Sequence, residues 1–380
     1  MEKIKQELEL LKLKEQLRKI PDISEKYDGI AVIGGKNYIN FASNDYLGIS
    51  TKSDLREEFL SKNSDKLLSS ASARLLSGTS SEFAELEDTV SNIFNREASL
   101  IYNTGYQCNL GVLSALCTKG DAVFSDKLNH ASIIDGMKLC GGDFFRYKHL
   151  DYDDLENLLT KKRNNYKRVI IVTESVFSMD GDISDIERLV KIKNKYNCLL
   201  MVDEAHAFCT CGGHISGLSY NKDVDIITAT FGKAVGSFGA FCVSNKLIID
   251  YLINKSRSFI FSTSIPPLNI AWTNWLLKEK ISFLESQKAK LVNITDYAHK
   301  LLNDYGIITP SKSHIIPIVI GTNEITNKVS EILKSRGFYI PSIRPPTVPV
   351  NTSRLRISLT ADTKTDNFKQ VLDIVREFLP

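Results

Sequence analysis

From about Asn40 to Thr263 short apolar runs alternate with helical patterns, and this alternation constrains the fold more than any single residue does. It argues for a mostly parallel α/β sheet with helices packed on its faces. Candidate strands are Ala98 to Tyr102, Ala122 to Ser125, Arg168 to Thr173, Cys198 to Val202, Asp225 to Thr230 and Gly239 to Val243. Helical stretches fall at Glu82 to Asn95, Asp185 to Tyr196 and Leu247 to Lys255. Continuous apolar runs such as Cys198 to Val202 and Val224 to Ala229 read as buried strands that deliver polar residues at their C-terminal ends. Pro266-Pro267 marks a break, and a long helical pattern runs from Leu268 towards Leu302. Beyond it come Ile315 to Ile320, a helix near Glu324 to Ser335, the strand-like Arg354 to Leu359 and a closing helix, an order that suits a smaller α+β domain. The expected division is an N-terminal helix and arm over 1–40, a large α/β domain over 41–267 and a C-terminal α+β domain over 268–380.

Composition narrows the function classes. With 380 residues, 43% of them hydrophobic, the chain can bury a large core, and a net charge of +3 gives no nucleic-acid footprint. Seven cysteines without a dense, even framework point to free thiols in a reducing compartment, hence a cytoplasmic protein. Met1 to Ile20 is a charged amphipathic stretch, with Ile4, Leu8, Leu11 and Leu17 on related helical positions and Pro21 as its stop. It reads as neither a signal peptide nor a membrane span, and Glu2, Glu7, Glu9 and Glu15 argue against a transit peptide.

The strand ends carry the chemistry. Met201-Val202-Asp203-Glu204-Ala205-His206 and Thr230-Phe231-Gly232-Lys233 bring a carboxylate, an imidazole and an amine to one sheet edge, where open α/β sheets bind ligands. A lysine held between small residues can form a Schiff base, and an aspartate can keep a pyridinium nitrogen protonated; together they are what pyridoxal phosphate requires. Asp203 and His206 could equally be a helix cap with a surface histidine beside it. His130 follows another strand end, and its flat ring could stack on an aromatic cofactor or simply pack. Thr104-Gly105-Tyr106 looks like a strand-to-helix turn whose N–H groups suit a phosphate, although one glycine is a thin signal. Thr230 and Ser178 add hydroxyls that could serve the cofactor or an ordinary turn. Arg354 and Arg356 share one strand face and offer a guanidinium to a carboxylate, or to solvent. Ile343 to Pro349 is a rigid, proline-rich loop carrying Arg344 and Thr347. His206, Cys209, Cys211 and His214 form a rival set, but a single residue between the cysteines departs from structural zinc motifs, and no metal is expected.

Several of these segments, taken in order, resemble the α-oxoamine synthase family. They are Phe41 to Gly48, Asn129-His130-Ala131-Ser132, Thr173 to Asp182, the Asp203/His206 pair and the Thr230 to Lys233 box. The motifs run from about residue 18 to 361, nearly the whole chain. The resemblance implies a fold-type I PLP-dependent transferase that works as a homodimer with active sites at the subunit interface. It implies Lys233 as the imine-forming residue, Asp203 at the pyridine nitrogen, His130 on the ring, and Ser178 and His206 near the phenolic oxygen. Gly105, Tyr106 and Thr230 would serve the cofactor, with Ser262 or Thr263 of the facing subunit at the phosphate. Asn44 and Arg356 would meet an amino-acid carboxylate, with Arg354 a weaker candidate, and Arg18, His130, Arg344 and Thr347 would line the substrate region. Ile343 to Pro349 with Arg354-Leu355-Arg356 is similar in particular to the biotin-pathway branch, which implies L-alanine and a pimeloyl thioester as substrates. Whether coenzyme A or an acyl carrier protein brings the acyl group stays open; Lys161, Lys162 and Arg163 could meet an acidic carrier or form a solvated face. Two alternatives stand beside this reading: glycine C-acetyltransferase or another acyltransferase of the family, and a catalytically silent partner subunit. The chain departs from the family pattern at Ser69 to Arg74, usually glycine-rich, and at Ala207 to Cys211, usually small residues.

Overall fold

A computed structural model describes residues 1–379. The chain opens with a helix, Glu2–Leu13, none of whose residues is buried. The amphipathic stretch expected to stay regular until Pro21 therefore ends seven residues early. Glu15 takes a left-handed backbone (φ 53°), and the N–H groups of Lys14 and Gln16 close on Leu10 O and Leu11 O. The reason is competition. A helix that buries no apolar face has only its propensity behind it, whereas the arm gains tertiary hydrogen bonds. Asn323 donates to Lys14 O at 2.9 Å, Asn327 to the Glu15 carboxylate at 2.8 Å, and Arg344 to Glu15 O.

Next comes an antiparallel meander that the alternation pattern does not reveal, β1 (Ile23–Tyr27), β2 (Ile30–Ile33) and β3 (Lys36–Asn40). β1 and β3 are exposed or half-buried and lack an apolar run, while β2, Ile30-Ala31-Val32-Ile33, is apolar but only four residues long.

The large unit spans 53–178 and 183–288 and holds seven strands. In chain order they are β4 (Ala98–Tyr102), β5 (Ala122–Asp126), β6 (Asp143–Tyr147), β7 (Val169–Glu174), β8 (Leu199–Asp203), β9 (Ile226–Thr230) and β10 (Ala240–Ser244). Their order across the sheet is β4-β10-β9-β8-β7-β5-β6; β10 runs antiparallel to both neighbours and every other pair is parallel. The six strands expected from apolar runs form within a residue of their expected bounds. The seventh, β6, was not expected: Asp143-Phe144-Phe145-Arg146-Tyr147 is an edge strand with charged, exposed positions. Every residue of β5, β7 and β10 is buried, as a sheet covered on both faces requires. Because β4 and β9 both oppose β10, the C-terminal ends of β4, β5, β7, β8 and β9 share one edge. Polar Asp126, Glu174 and Asp203 lie there with at most 6% exposure.

The helices Gly105–Leu116 and Ala131–Leu139 pack over this sheet. Their closeness depends on Gly136: a side chain there would stand 3.1 Å from Asn109 O and Leu113 Cβ. The long helix expected from Leu268 divides at Lys280 into Pro267–Glu279 and Ile281–Asp304. Lys280 leaves helical geometry with its ammonium 2.7 Å from Glu58 and above the Trp275 ring.

The small unit comprises 1–52, 179–182 and the chain from Ala289 onward. It contains β11 (Ile315–Gly321), β12 (Phe338–Tyr339), β13 (Ser342–Ile343) and β14 (Ser353–Ser358), of which β11, β14 and β13 make an antiparallel sheet. β12 pairs in parallel with β3, which ties the N-terminal meander to the C-terminal elements. Among the described residues no helix is long and apolar enough to cross a membrane.

Candidate active site

The turn after β9 is built to present one amine. Thr230 donates its hydroxyl to Gly239 O at 2.9 Å and accepts from the Gly232 N–H at 3.1 Å, while Phe231 bonds Gly239 through its own N–H. Half-buried Lys233 stands on this pinned turn with Nζ 2.8 Å from His206 Nε2. His206 is 5% exposed and sits three residues past Asp203, the last residue of β8. No helix follows β8, so the capping alternative for Asp203 falls away. Its Oδ1 accepts from the Ala205 N–H at 2.9 Å and its Oδ2 from Asn109 Nδ2 at 2.6 Å.

His130 begins the helix after β5. Its backbone N–H donates to Glu174 Oε1 at 2.5 Å, and its Nδ1 lies 2.8 Å from Ser132 Oγ. The protein around the ring disfavours the imidazolium and Lys233 repels it, which lowers the His130 pKa although Asp203 opposes the shift. Glu174 moves the other way. Burial, reinforced by the Asp203 charge, pushes its carboxyl well above the ordinary range.

These groups surround a cavity of about 180 Å³. Seven residues singled out from the sequence line it: Gly105, Tyr106, His130, Asp203, His206, Thr230 and Lys233. Asn109, Ser132, Glu174 and Ala205 line it too and were not singled out. Asn109 had a legible signal, a polar residue on the buried face of the helix Gly105–Leu116. Glu174 likewise ends a fully buried strand, the position that made Asp203 conspicuous. Thr104 caps that helix by accepting from the Gln107 N–H, so Gly105 and Tyr106 present a helix N-terminus to the cavity.

Ser178, Ser262 and Thr263 do not line it. Ser262 donates to Ser258 O at 2.7 Å and faces Gln107, and Thr263 forms a bridge with Ala73. The rival metal set is dispersed: His214 stacks on Tyr220 at 4.0 Å, Cys209 is buried, and Lys288 donates to the Cys211 and His214 carbonyls. Among the described residues no three His, Cys, Asp or Glu gather into a metal-holding group.

In the small unit both β14 arginines are buried, which removes the solvated-face alternative. Arg354 pairs with Asp180. Arg356 donates to Ser358 Oγ at 2.7 Å and to Asn44 Oδ1 at 3.2 Å, with Tyr46 beside it. Arg18 donates to Thr347 Oγ1 at 2.9 Å.

The donor set fits pyridoxal phosphate: an amine on a fixed turn, a buried carboxylate held as an acceptor, flat imidazoles, and a helix N-terminus for an anion. The fold and this edge define a fold-type I pyridoxal-phosphate-dependent transferase. Residues 36–375 match the family "Aminotransferase class I and II". The chain is 41% identical to the Haemophilus influenzae (Rd) protein named "Putative 8-amino-7-oxononanoate synthase", over 97% of this chain and 99% of that one. A protein of the same name from Pasteurella multocida is 40% identical over 98% of each. Among solved structures, serine palmitoyltransferase of S. paucimobilis with bound PLP superposes with a TM-score of 0.88 at 26% identity, covering 98% of this chain and 96% of that one. The 8-amino-7-oxononanoate synthase of Francisella tularensis gives 0.76 at 26% identity, covering 90% and 97%. The chain belongs to the α-oxoamine synthase family, and its cofactor is pyridoxal 5′-phosphate.

Proposed function

We propose that the protein joins L-alanine to a pimeloyl thioester with loss of CO2 and release of the thiol, forming 8-amino-7-oxononanoate for biotin synthesis. The observation that carries the reaction class is the Lys233 amine at 2.8 Å from His206, in one cavity with the Asp203 carboxylate. The choice of substrates leans on the 41% identical relatives.

When bound, pyridoxal phosphate supplies an aldehyde for imine formation and a ring that accepts the electron pair left at the amino acid's α-carbon. Lys233 Nζ would hold it, and as a free amine would take the substrate's α-proton. Asp203 holds the proton on the ring nitrogen, and its two N–H donors keep it an acceptor. His130 covers the ring, while His206 and Ser178 serve its phenolic oxygen. Gly105, Tyr106 and Thr230 hold the phosphate, joined by Ser262 or Thr263 of the partner subunit in a homodimer. Asn44 and Arg356 take the alanine carboxylate; Arg18, Arg344 and Thr347 take the acyl chain. Joint retention of Lys233, His130 and Asp203 speaks against a silent subunit. We place the enzyme in the cytoplasm, where its free thiols persist.

The acyl carrier is open to the same experiment. Of the run once considered for an acidic carrier, Arg163 is committed to the carbonyls of Tyr166, Tyr196 and Asn197, and Lys162 lies over Phe145. A second reading, a different amino acid or acyl donor, draws on the superposition with serine palmitoyltransferase. Thiol release should be followed with L-alanine, glycine or L-serine against pimeloyl-CoA, pimeloyl-acyl carrier protein, acetyl-CoA and palmitoyl-CoA. Fastest turnover of alanine with a pimeloyl thioester is expected; no turnover of that pair rejects the proposal.

A further inference from the structure

We propose that Asn109 and Ser132 are positioning residues: Asn109 fixes the Asp203 carboxylate, and through Asn109 the Ser132 hydroxyl holds His130 in the tautomer that carries its proton on Nε2. The inference rests on reading this cavity as the cofactor site, and it follows from counting protons along one buried chain of hydrogen bonds.

Asn109 and Ser132 are 2% and 0% exposed, and protein groups supply their partners. The Asn109 amide has one possible orientation. Its Nδ2 lies 2.6 Å from Asp203 Oδ2 and 3.0 Å from Ser132 Oγ, while Thr228 Oγ1 donates to its Oδ1 at 2.8 Å. Turned over, it would set a carbonyl oxygen against a carboxylate oxygen, two acceptors with no proton between them. One Asn109 hydrogen therefore goes to Asp203 and the other to Ser132 Oγ. Ser132 Oγ, which accepts from Asn109, lies 2.8 Å from His130 Nδ1, and its hydroxyl proton is donated there if Nδ1 is itself an acceptor. The Ser132 backbone N–H points at the same nitrogen at 3.3 Å. A backbone N–H can only donate, so Nδ1 is read as the acceptor; the Ser132 hydroxyl then donates to it as well, and the neutral ring carries its proton on Nε2. The Asp203 carboxylate and the His130 imidazole are thus linked through one amide. Asp203 keeps acceptor capacity for the ring nitrogen, since each of its oxygens has one partner here and room for another.

The direct test reads the wild-type chain, and a substitution serves only to assign its signals. In protein labelled with ¹⁵N-histidine, with the His130 signals identified by their loss in His130→Asn, the cofactor-depleted wild type should show an unprotonated Nδ1 and a protonated Nε2 at neutral pH. A protonated Nδ1 overturns the proposal. Ser132→Ala should mix the two tautomers and Ser132→Thr, which keeps the hydroxyl, should restore one; an unchanged spectrum in Ser132→Ala overturns Ser132's part. For Asn109, cofactor retention by Asn109→Ala should weaken about tenfold or more, since a hydrogen bond to a charged group is lost. The pH at which the bound cofactor's visible absorbance changes should shift as well. Retention and titration equal to wild type would overturn Asn109's part. If the wild type takes up no pyridoxal phosphate, the functional reading fails instead, and the nitrogen spectra of the unloaded protein still decide the tautomer.

Discussion

Two carboxyls, Glu174 and Asp203, lie in one cavity with 2% and 6% exposure, and charge on both would be costly there. Glu174 eases the conflict by holding its proton more tightly than a free carboxyl does, its pKa raised by burial first and by Asp203 second. Because the folded state holds this proton more tightly than the unfolded one, Glu174 costs stability as pH rises above the ordinary carboxyl range. A neutral amide of the same shape avoids that cost. Glu174→Gln is therefore expected to be at least as stable as wild type at pH 7 to 8 and to lose that advantage near pH 4, as read from denaturant midpoints, while still binding cofactor. Glu174→Ala instead strands the His130 N–H and should lose about 1–3 kcal/mol. A glutamine variant less stable than wild type at pH 8 would reject this protonation state. Glu174 and Asn109 show what the sequence marks without explaining: each is a polar residue on a buried face, as Asp203 is, but the pattern does not say which group each one supports. Their roles come from partners far along the chain, as when Asn109 meets Asp203, 94 positions away.

Elements are held in place by a few exact pairings at their ends. Lys66, in the turn after the helix Ser53–Asn63, lies 2.6 Å from Glu82 in the first turn of the helix Ser81–Phe94. The Lys66 hydrogen bond, with help from Ser80, holds the Glu82 carboxyl down to about 2. A depressed carboxyl pKa adds stability above its unfolded value, and that contribution disappears as pH falls from the ordinary range towards about 2. After allowance for solvent screening of a partly exposed pair, Lys66→Met should cost about 1 kcal/mol at pH 7 and close to nothing at pH 2. A gap between the melting curves that persists at pH 2 would mean that packing, not charge, is at work. Legibility at this scale follows burial. β5, β7 and β10 are buried throughout and announce themselves as apolar runs, whereas edge strand β6 and the less covered strands β1 and β3 do not. The helix Glu2–Leu13 was overextended for the same reason: periodicity shows a possible face, and only tertiary contacts show whether anything covers it.

At the scale of the whole molecule, the large unit leaves apolar side chains uncovered on two segments that pair with each other. Ser264 donates its N–H to Ser72 O, Leu268 to Leu67 O, and Ala73 bridges Thr263. Around these contacts Leu67, Leu68, Leu75, Leu76 and Phe261 are 66%, 77%, 49%, 80% and 71% exposed. A run of large apolar residues this open is a feature of association surfaces, and a net charge of +3 opposes self-association little. Ser262 and Thr263 adjoin Phe261, so the proposed homodimer would cover the patch and carry those hydroxyls to the partner's cofactor phosphate. Substitution at such exposed positions barely perturbs a lone subunit. Leu76→Glu combined with Phe261→Glu should therefore leave the thermal transition cooperative while shifting the sedimenting mass from twice 42.6 kDa to 42.6 kDa. Cofactor retention should fall in the same variant even though Lys233, Asp203 and His130 are intact, because the phosphate loses its contacts from across the interface. A double variant that stays dimeric would place the interface elsewhere, and one that becomes monomeric yet keeps its cofactor as tightly as wild type would remove Ser262 and Thr263 from the site.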